Sequence, residues 1–338
     1  MLINPMAIKQ YGGIVMTRVL HFFVALSVVV CSFLLFSHSA SAAAKYPNRN
    51  ITLIVPYPPG GNMDMSSRPL ANALGEILGV KIIVQPTPGA AALTGTLKAM
   101  TSKPDGYTLY YGVQSIFTIR PNIQPSVRLS HNDMAQPIGG TGGPIYTIAT
   151  HKDSPFNTLQ DFVEACKKNP GQVTVAQIGR MGTPEVQNAQ IKTLFGIDFK
   201  MIPYEGNAPV LAAVLGKHVD VANTDNYNPE LKILAVMNPE RGSYFPEHKT
   251  FVELGYPDVK IFTEYGVWVP KGTPPDIIKI LEEAVKKAVD DPEYIELCKR
   301  IQILPKYKTK EELAAVVERD SNIVKDLISR GILEQIKD

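Results

Sequence analysis

The sequence has few charged side chains and few cysteines. Only 20% of its 338 residues are charged, and 34 basic residues stand against 32 acidic ones. Because no long run of one sign occurs, the sequence offers no electrostatic surface for nucleic acid, and we expect no nucleic-acid partner. A total of 3 cysteines in a chain of this length excludes a small disulfide-stabilised scaffold. At roughly 150 residues per domain, the length predicts two domains.

Motifs of the common catalytic and cofactor sites are also missing. The sequence contains no Gly-x-Ser-x-Gly, no phosphate-binding loop and no His-Glu-x-x-His. The histidines beyond residue 42 lack metal-ligand spacing, and no cysteine belongs to a CxxC pair. We therefore predict no metal, no cofactor and no enzymatic activity, although a catalytic triad built from distant residues would leave no local motif.

The first 42 residues are predicted to be an export signal that is removed. Arg18 supplies a positive start, residues 19–36 are almost wholly apolar, and Ala40-Ser41-Ala42 has the small-x-small pattern of a cleavage site. A retained membrane anchor is the alternative, because about 18 apolar residues approach spanning length. Lipidation at Cys31 is a lesser one. Cleavage near Ala43 would place the protein in the periplasm.

Two cysteines remain beyond the signal. Cys166 and Cys298 each lie in a segment with the pattern of an amphipathic helix. A disulfide is possible in an oxidising compartment, but the sequence gives no reason to bring the two together. We expect two free, mostly buried thiols.

Short apolar segments alternate with helical patterns over the rest of the chain. This alternation predicts an α/β fold in which parallel or mixed sheets are covered by helices. The predicted strands are 51–55, 80–84, 108–113, 145–149, 173–176, 199–202, 219–222 and 267–270. The predicted helices are 64–78, 91–100, one starting at Thr158 with Asp161 in a capping box, 183–195, 208–215, 274–289 after a Thr273 cap, and 310–330 after a Thr309 cap.

The order of these segments indicates two doubly wound α/β domains with a cleft between them. A glycine-rich stretch, residues 139–144, separates the first series of strands from the second. We predict one domain from residues 43–143 plus 267–338 and another from residues 144–266.

Glycine-rich loops follow strands and precede helices at three places, residues 57–64, 87–92 and 177–183. A helix N-terminus offers free amides and the positive end of the helix dipole, so each loop is a candidate site for a small anion. The alternative is that each glycine only permits a tight turn. Since three such loops occur and ligands bind at the carboxyl ends of strands in open α/β sheets, a ligand cleft between the domains is favoured.

The candidate ligand-binding residues come from these loops and from strand ends. Arg180 could pair with a second ligand carboxylate or be a solvent-facing cation. Asp64 could hold an amino group or a water, or serve only as a helix cap. Trp268 is expected in the core rather than in the site. The full set is Tyr57, Pro59, Gly60, Gly61, Asp64, Ala91, Gln114, Ser115, Gln177, Gly179, Arg180, Gly182, Thr183, Tyr204, Asn207 and Asp225.

A set of short motifs runs in order from residue 46 to residue 333. It includes Tyr46-Pro47, Ile54-Val55-Pro56-Tyr57-Pro58-Pro59-Gly60-Gly61, Pro88-Gly89-Ala90, Pro104-Asp105-Gly106-Tyr107-Thr108-Leu109, Ile202-Pro203-Tyr204, Leu254-Gly255-Tyr256-Pro257 and Pro270-Lys271-Gly272-Thr273-Pro274. In this order the motifs resemble the substrate-binding receptors of tripartite tricarboxylate transporters, the Bug family.

The resemblance implies a type II periplasmic binding protein fold, with a small carboxylate held between two α/β domains. The loops 57–64 and 177–183 would grip the carboxylate, and the receptor would deliver it to membrane permease subunits without catalysis. We expect a monomer. A sensory binding module and, less favoured, an exported hydrolase are the alternatives.

The chain departs from the family pattern at several positions. Its second loop, Gly179-Arg180-Met181-Gly182-Thr183, is one residue longer than usual. Glu205 replaces the lysine of the usual Tyr-Lys-Gly, and Glu264 stands where an aromatic residue is expected. We therefore expect an altered pocket.

Overall fold

The strands of the described residues form two separate sheets. The computed structural model describes residues 46–127, 129, 131–242 and 244–336, without the side chains of residues 131 and 132. The expected export signal therefore lies outside the described residues. Among the helices that are described, none combines the length and the apolar character needed to cross a membrane. Residues Arg49–Asp338 form one compact unit.

The strands in chain order are β1 (Ile51–Val55), β2 (Ile82–Pro86), β3 (Thr108–Val113), β4 (Ala135–Pro144), β5 (Thr147–His151), β6 (Thr174–Ile178), β7 (Lys200–Tyr204), β8 (Val221–Thr224), β9 (Leu231–Val236), β10 (Tyr265–Pro270) and β11 (Ile303–Lys308). The helices are α1 (Asn62–Leu78), α2 (Leu93–Met100), α3 (Ser115–Thr118), α4 (Arg120–Ile123), α5 (His131–Met134), α6 (Leu159–Lys168), α7 (Thr183–Phe195), α8 (Asn207–Leu215), α9 (Pro275–Val289), α10 (Pro292–Arg300) and α11 (Lys310–Ser329).

Both sheets are mixed. The first has the order β11-β4-β10-β3-β1-β2, and the second has the order β7-β6-β8-β5-β9. In the first sheet β1 runs parallel to β2 and β3, and in the second β6 runs parallel to β7 and β8. Parallel strands bring their carboxyl ends to one edge, so the loops that follow them lie together.

Aromatic side chains fill the core of the first sheet. Trp268 is fully buried, with its ring centroid 5.8 Å from that of Tyr110 and 5.4 Å from that of Phe117. The prediction that Trp268 belongs to the core is confirmed. Cys166 and Cys298 are both free and buried, as expected. Burial raises the pKa of the Cys166 thiol to about 12 and that of Cys298 to about 11.

Two of the predicted helix starts are confirmed in detail, and one is corrected. Thr158 forms a capping box with Asp161 at α6, and Thr309 does so with Glu312 at α11. The helix expected after a Thr273 cap instead begins at Pro275. Thr273 Oγ1 donates to the carbonyl oxygen of Pro270 at 2.8 Å, which closes the preceding turn rather than capping the helix.

The sequence analysis missed α10, β11 and the glycine-rich strand β4. β4 lies between β10 and β11, and several of its glycines leave room for these neighbours. A Cβ on Gly142 would collide with the carbonyl of Leu304, and a Cβ on Gly143 with the carbonyl of Thr263. A strand of glycines shows no alternation of side chains, so its periodicity carries no signal.

Candidate functional site

A cavity of about 530 Å³ lies where loops from both sheets meet. We call it the main cavity. It is lined by residues that follow β1 and β3 of the first sheet and β6, β7 and β8 of the second, together with the start of β10. The predicted site residues that line it are Tyr57, Gly60, Gly61, Ser115, Gly182, Thr183, Asn207 and Asp225.

A smaller cavity of about 170 Å³, the side pocket, shares Tyr57, Ser115 and Gly182 with the main cavity. Its lining includes three further predicted residues, Ala91, Gly179 and Arg180. The structure therefore brings eleven of the sixteen predicted residues to these two adjoining spaces.

Three helices begin at the main cavity, and each has a glycine at its N-cap. The N-caps are Gly61 for α1, Gly182 for α7 and Gly206 for α8, and none supplies a side-chain hydrogen bond to the first turn. A glycine N-cap leaves the first backbone amides of a helix without a side-chain acceptor. The main cavity is thus bordered by amide donors and by the positive ends of three helix dipoles.

The loop between β1 and α1 is closed by Asp64. The Asp64 carboxylate accepts a hydrogen bond from the Gly60 amide at 3.0 Å, and it forms an ion pair with Arg68 at 3.0 Å. Gly60 has φ of +90°, which favours glycine. Because the N-cap of α1 is Gly61, Asp64 does not cap the helix; it closes the preceding loop and lines neither cavity.

The loop between β6 and α7 is held by hydrogen bonds with Gln177 and Tyr204. Gln177 donates through Nε2 to the carbonyl of Gly179 at 3.2 Å, and its Oε1 accepts from Asn188 at 2.8 Å. The Gly179 amide donates to the carbonyl of Tyr204 at 2.8 Å. Gln177 and Tyr204 lie outside both cavities and act as positioning residues for this loop.

Pro59 and Gln114 also lie outside both cavities. Pro59 is exposed on the first loop. Gln114 is fully buried, and its Oε1 accepts from the Glu264 amide at 2.9 Å while its Nε2 donates to Asp320 at 3.2 Å. This side chain ties the end of β3 to the start of β10. Glu264 itself is buried in an ion pair with Lys308.

Arg180 is exposed at the tip of the second loop. Within the described residues it forms no ion pair, and its neighbour Met181 has φ of +58° with its amide bonded to Glu185. Arg120, the first residue of α4, lines the same side pocket, and its Nη1 donates to the carbonyl of Ala90 at 3.1 Å. The side pocket is therefore the cationic part of the site.

Several lining residues were missed by the sequence analysis. Arg120, Tyr146, Thr263 and Tyr265 line the cavities but lie at the edges of elements rather than in glycine-rich loops. No local pattern marks them, because only the packing of the two sheets brings them to the site.

Asp225 is the one carboxylate that lines the main cavity, and no Lys or Arg does so among the described residues. Asp225 is only 4% exposed, and its Oδ1 has no hydrogen-bond partner within the described part of the chain. Burial raises the Asp225 pKa to about 6, while hydrogen bonds from its own amide and from Asn207 lower it. The buried carboxylate also raises the pKa of Tyr146 and of Tyr265, both already raised by burial.

Among the described residues, no three His, Cys, Asp or Glu side chains are placed to hold a metal ion. The site therefore consists of backbone amides, hydroxyls and one buried carboxylate, with arginines at its side pocket.

Comparison with known proteins identifies relatives over most of the chain. Residues 66–332 match the family model described as tripartite tricarboxylate transporter family receptor. A protein of Cupriavidus necator, named UPF0065 protein in gbd 5'region, is 31% identical over 299 residues, covering 84% of this chain and 89% of its own. The protein BugT of Bordetella pertussis is 29% identical over 299 residues, covering 84% and 91%.

Solved structures are also similar to this chain over most of its length. A TctC solute-binding protein from Polaromonas, without ligand, has a TM-score of 0.75 at 32% identity and covers 84% of this chain and 99% of its own. The periplasmic binding protein BugD has a TM-score of 0.70 at 27% identity, covering 86% and 99%. These matches confirm the predicted periplasmic binding protein fold.

The burial of Asp225 predicts a stability change for Asp225→Asn in the absence of ligand. A rise from 3.8 to about 6 is about 2 pKa units, or about 3 kcal/mol at about 1.4 kcal/mol per unit. The unfolded chain loses this proton at lower pH than the folded chain. As the pH rises from about 4 to about 6, the free energy of unfolding of the wild type therefore falls relative to that of the variant.

We expect Asp225→Asn to unfold at higher denaturant concentration than wild type at pH 7.5, with the difference vanishing near pH 4. Asp258→Asn, at an exposed carboxylate, is the matched control and should change little. An Asp225→Asn variant less stable than wild type at pH 7.5 would show that Asp225 is not an uncompensated buried charge.

Proposed function

The chain belongs to the tripartite tricarboxylate transporter receptor family, and we propose that it is an exported receptor that captures a small organic carboxylate and delivers it to membrane permease subunits. Receptors of this family bind solutes and are periplasmic. The observation that supports a carboxylate ligand is the convergence of three glycine-capped helix N-termini on one cavity. Free amides at helix starts are suited to binding an anion without a fixed cation.

Structures of the same fold have been solved with carboxylates bound. MatC of Rhodopseudomonas palustris, at 21% identity, holds malate, and another protein of that organism, also at 21%, holds adipate. At 21% identity, these two structures show the fold and do not identify the ligand of this chain. They support the proposal to the extent that this architecture accommodates a dicarboxylate.

We further propose that the ligand lies between two domains, residues 43–143 plus 267–338 and residues 144–266. The strand order supports this division, because β4 ends at Pro144 in the first sheet and β5 begins at Thr147 in the second. The chain returns to the first sheet with β10. The receptor would act as a monomer that closes on its ligand, since loops from both sheets line the cavity.

A thermal-shift screen tests the carboxylate proposal. We expect at least one acid among mono- and dicarboxylates, aromatic acids and acidic amino acids to raise the melting temperature, because a ligand that binds only the folded state stabilises it. Matched neutral amides of the same acids are the controls. The proposal fails if a neutral compound stabilises the protein and no carboxylate does.

A pair of serine substitutions at the two ends of α7 tests the role of the free amides. Gly182 has φ of −113° and ψ of 173°, a conformation that serine adopts as an N-cap, and a Cβ there meets nothing closer than 3.6 Å. In Gly182→Ser the new hydroxyl would accept from the Glu185 amide, since Pro184 has no N–H, and would compete with the ligand for that donor. We expect unchanged or slightly higher stability and a loss of affinity of about tenfold or more, as for a lost hydrogen bond to a charged group.

Gly196→Ser is the control at the other end of the helix. Gly196 has φ of +61°, so a side chain there should cost about 1 kcal/mol of stability without affecting affinity. Both variants are compared by calorimetric titration and by denaturant unfolding. Equal affinity of Gly182→Ser and wild type would mean that the amides of α7 do not hold the ligand.

Arg180→Ala tests whether the side pocket binds a second carboxylate. Because Arg180 is exposed, solvent screens its charge, and we expect a loss of about 1 kcal/mol for a dicarboxylate and little change for the matching monocarboxylate. Arg300→Ala removes another exposed guanidinium, which lines neither cavity, and is the control. Equal losses for the two ligands would exclude Arg180 from the site.

A further inference from the structure

Among the described residues, two that line the main cavity each have a buried side-chain oxygen without a hydrogen-bond partner. The two atoms are Oδ1 of Asp225, which follows β8, and Oδ1 of Asn207, the first residue of α8. Both residues line the same cavity. A buried acceptor without a donor is costly, because it has lost its hydration and gained nothing in return.

Among the residues that the structure describes, no cation lines the cavity to balance the charge of Asp225. The titratable groups that face it are three tyrosines, Tyr57 from the β1–α1 loop, Tyr146 between β4 and β5, and Tyr265 at the start of β10. Asn207 is its one neighbour that contributes a side-chain hydrogen bond. A buried carboxylate is ordinarily paired with a cation or fully hydrogen-bonded, and this one is neither among the described residues.

The main cavity therefore has two kinds of polar surface. Amide donors at the starts of α1, α7 and α8 suit a ligand carboxylate, whereas the two unpartnered oxygens suit a donor. An unsubstituted carboxylate would satisfy the amides and leave both oxygens buried without a donor. A site built around hydrogen-bonding groups rejects a ligand that lacks the matching group, since its own polar atoms are then left unpaired.

We propose that Asp225 and Asn207 form an acceptor pair that binds an O–H or N–H donor on the carbon chain of the ligand, so that the protein selects hydroxy- or amino-substituted carboxylates over unsubstituted ones. This inference rests on the proposed carboxylate-binding function and adds a requirement for a second group on the ligand. Asp225 and Asn207 are then specificity-determining residues of the same site.

The two sources of the donor differ in charge. An ammonium group would neutralise the Asp225 carboxylate, whereas a hydroxyl would only donate to it. Because Asp225 titrates near pH 6, it is mostly ionised at pH 7.5, where both donors can be compared. Replacing the carboxylate by an amide keeps an acceptor oxygen and removes the charge.

Calorimetric titration at pH 7.5 with succinate, malate and aspartate, and in parallel with propionate, lactate and alanine, tests the inference. Within each series the carbon skeleton is constant and only the donor changes. We expect the hydroxy or the amino acid to bind at least about tenfold tighter than the unsubstituted acid, the effect of one satisfied buried hydrogen bond.

Three variants locate the donor contact. Asp225→Ala should remove the advantage of both substituted acids, and Asn207→Ala should reduce it. Asp225→Asn should reduce the affinity for the amino acid by about tenfold or more while changing the hydroxy acid less, because the amide oxygen still accepts. Asp258→Asn, far from the cavity lining, should leave all affinities unchanged.

The outcomes separate this inference from the function on which it rests. Equal affinity for the unsubstituted and the substituted acids would overturn the acceptor pair while leaving the carboxylate receptor in place. A uniform loss for all ligands in Asp225→Ala would also overturn it, since the residue would then act structurally. If none of the six acids binds and no other carboxylate stabilises the protein in the thermal-shift screen, the carboxylate proposal itself is overturned.

Discussion

The site depends on backbone amides that the protein leaves free. Away from the main cavity, α6, α10 and α11 begin with Thr158, Asp291 and Thr309, whose side chains accept from the first-turn amides. At the main cavity, the N-caps of α1, α7 and α8 are glycines, and the first-turn amides have no such side-chain acceptor. Among these six helices, the N-cap residue therefore distinguishes those whose first-turn amides are bonded within the protein from those whose amides can bind an anion.

This arrangement lowers the stability of the protein in the absence of ligand. Glycine at an N-cap gives less stabilisation than serine or aspartate, and the buried Asp225 carboxylate has no counter-charge in the main cavity. The capped helices and the buried aromatic core around Trp268 offset these losses. A ligand that supplies an acceptor to the amides and a donor to Asp225 would satisfy the free amides and the buried carboxylate together.

Local patterns in the sequence predicted much of the fold and the loops of the site. β1, β3 and α7 have the predicted residues or nearly so, since apolar periodicity and glycine or proline boundaries mark them. β4 was not predicted because its glycines are required by the close approach of neighbouring backbone, and they leave no alternation of apolar and polar side chains. Tyr146 and Tyr265 also could not be found from sequence, since their place in the site follows from how the two sheets pack.

The same limit explains why some polar residues were assigned to the ligand. Gln114 and Gln177 end strands at the right edge of each sheet, which is where ligands bind, and sequence cannot tell whether such a side chain turns inward or outward. In the structure both turn inward, where Gln114 joins β3 to β10 and Gln177 supports Gly179.

Charge is distributed unevenly between the two adjoining spaces. The main cavity contains amide donors and the Asp225 carboxylate, while the side pocket is lined by Arg120 of α4 and by Arg180 of the loop between β6 and α7. Arg120 is held by the carbonyl of Ala90, whereas Arg180 stands free of any ion pair among the described residues. Two guanidinium groups facing one small space repel each other unless an anion lies between them. A ligand that reached both spaces would therefore need its donor group in the main cavity and a carboxylate in the side pocket.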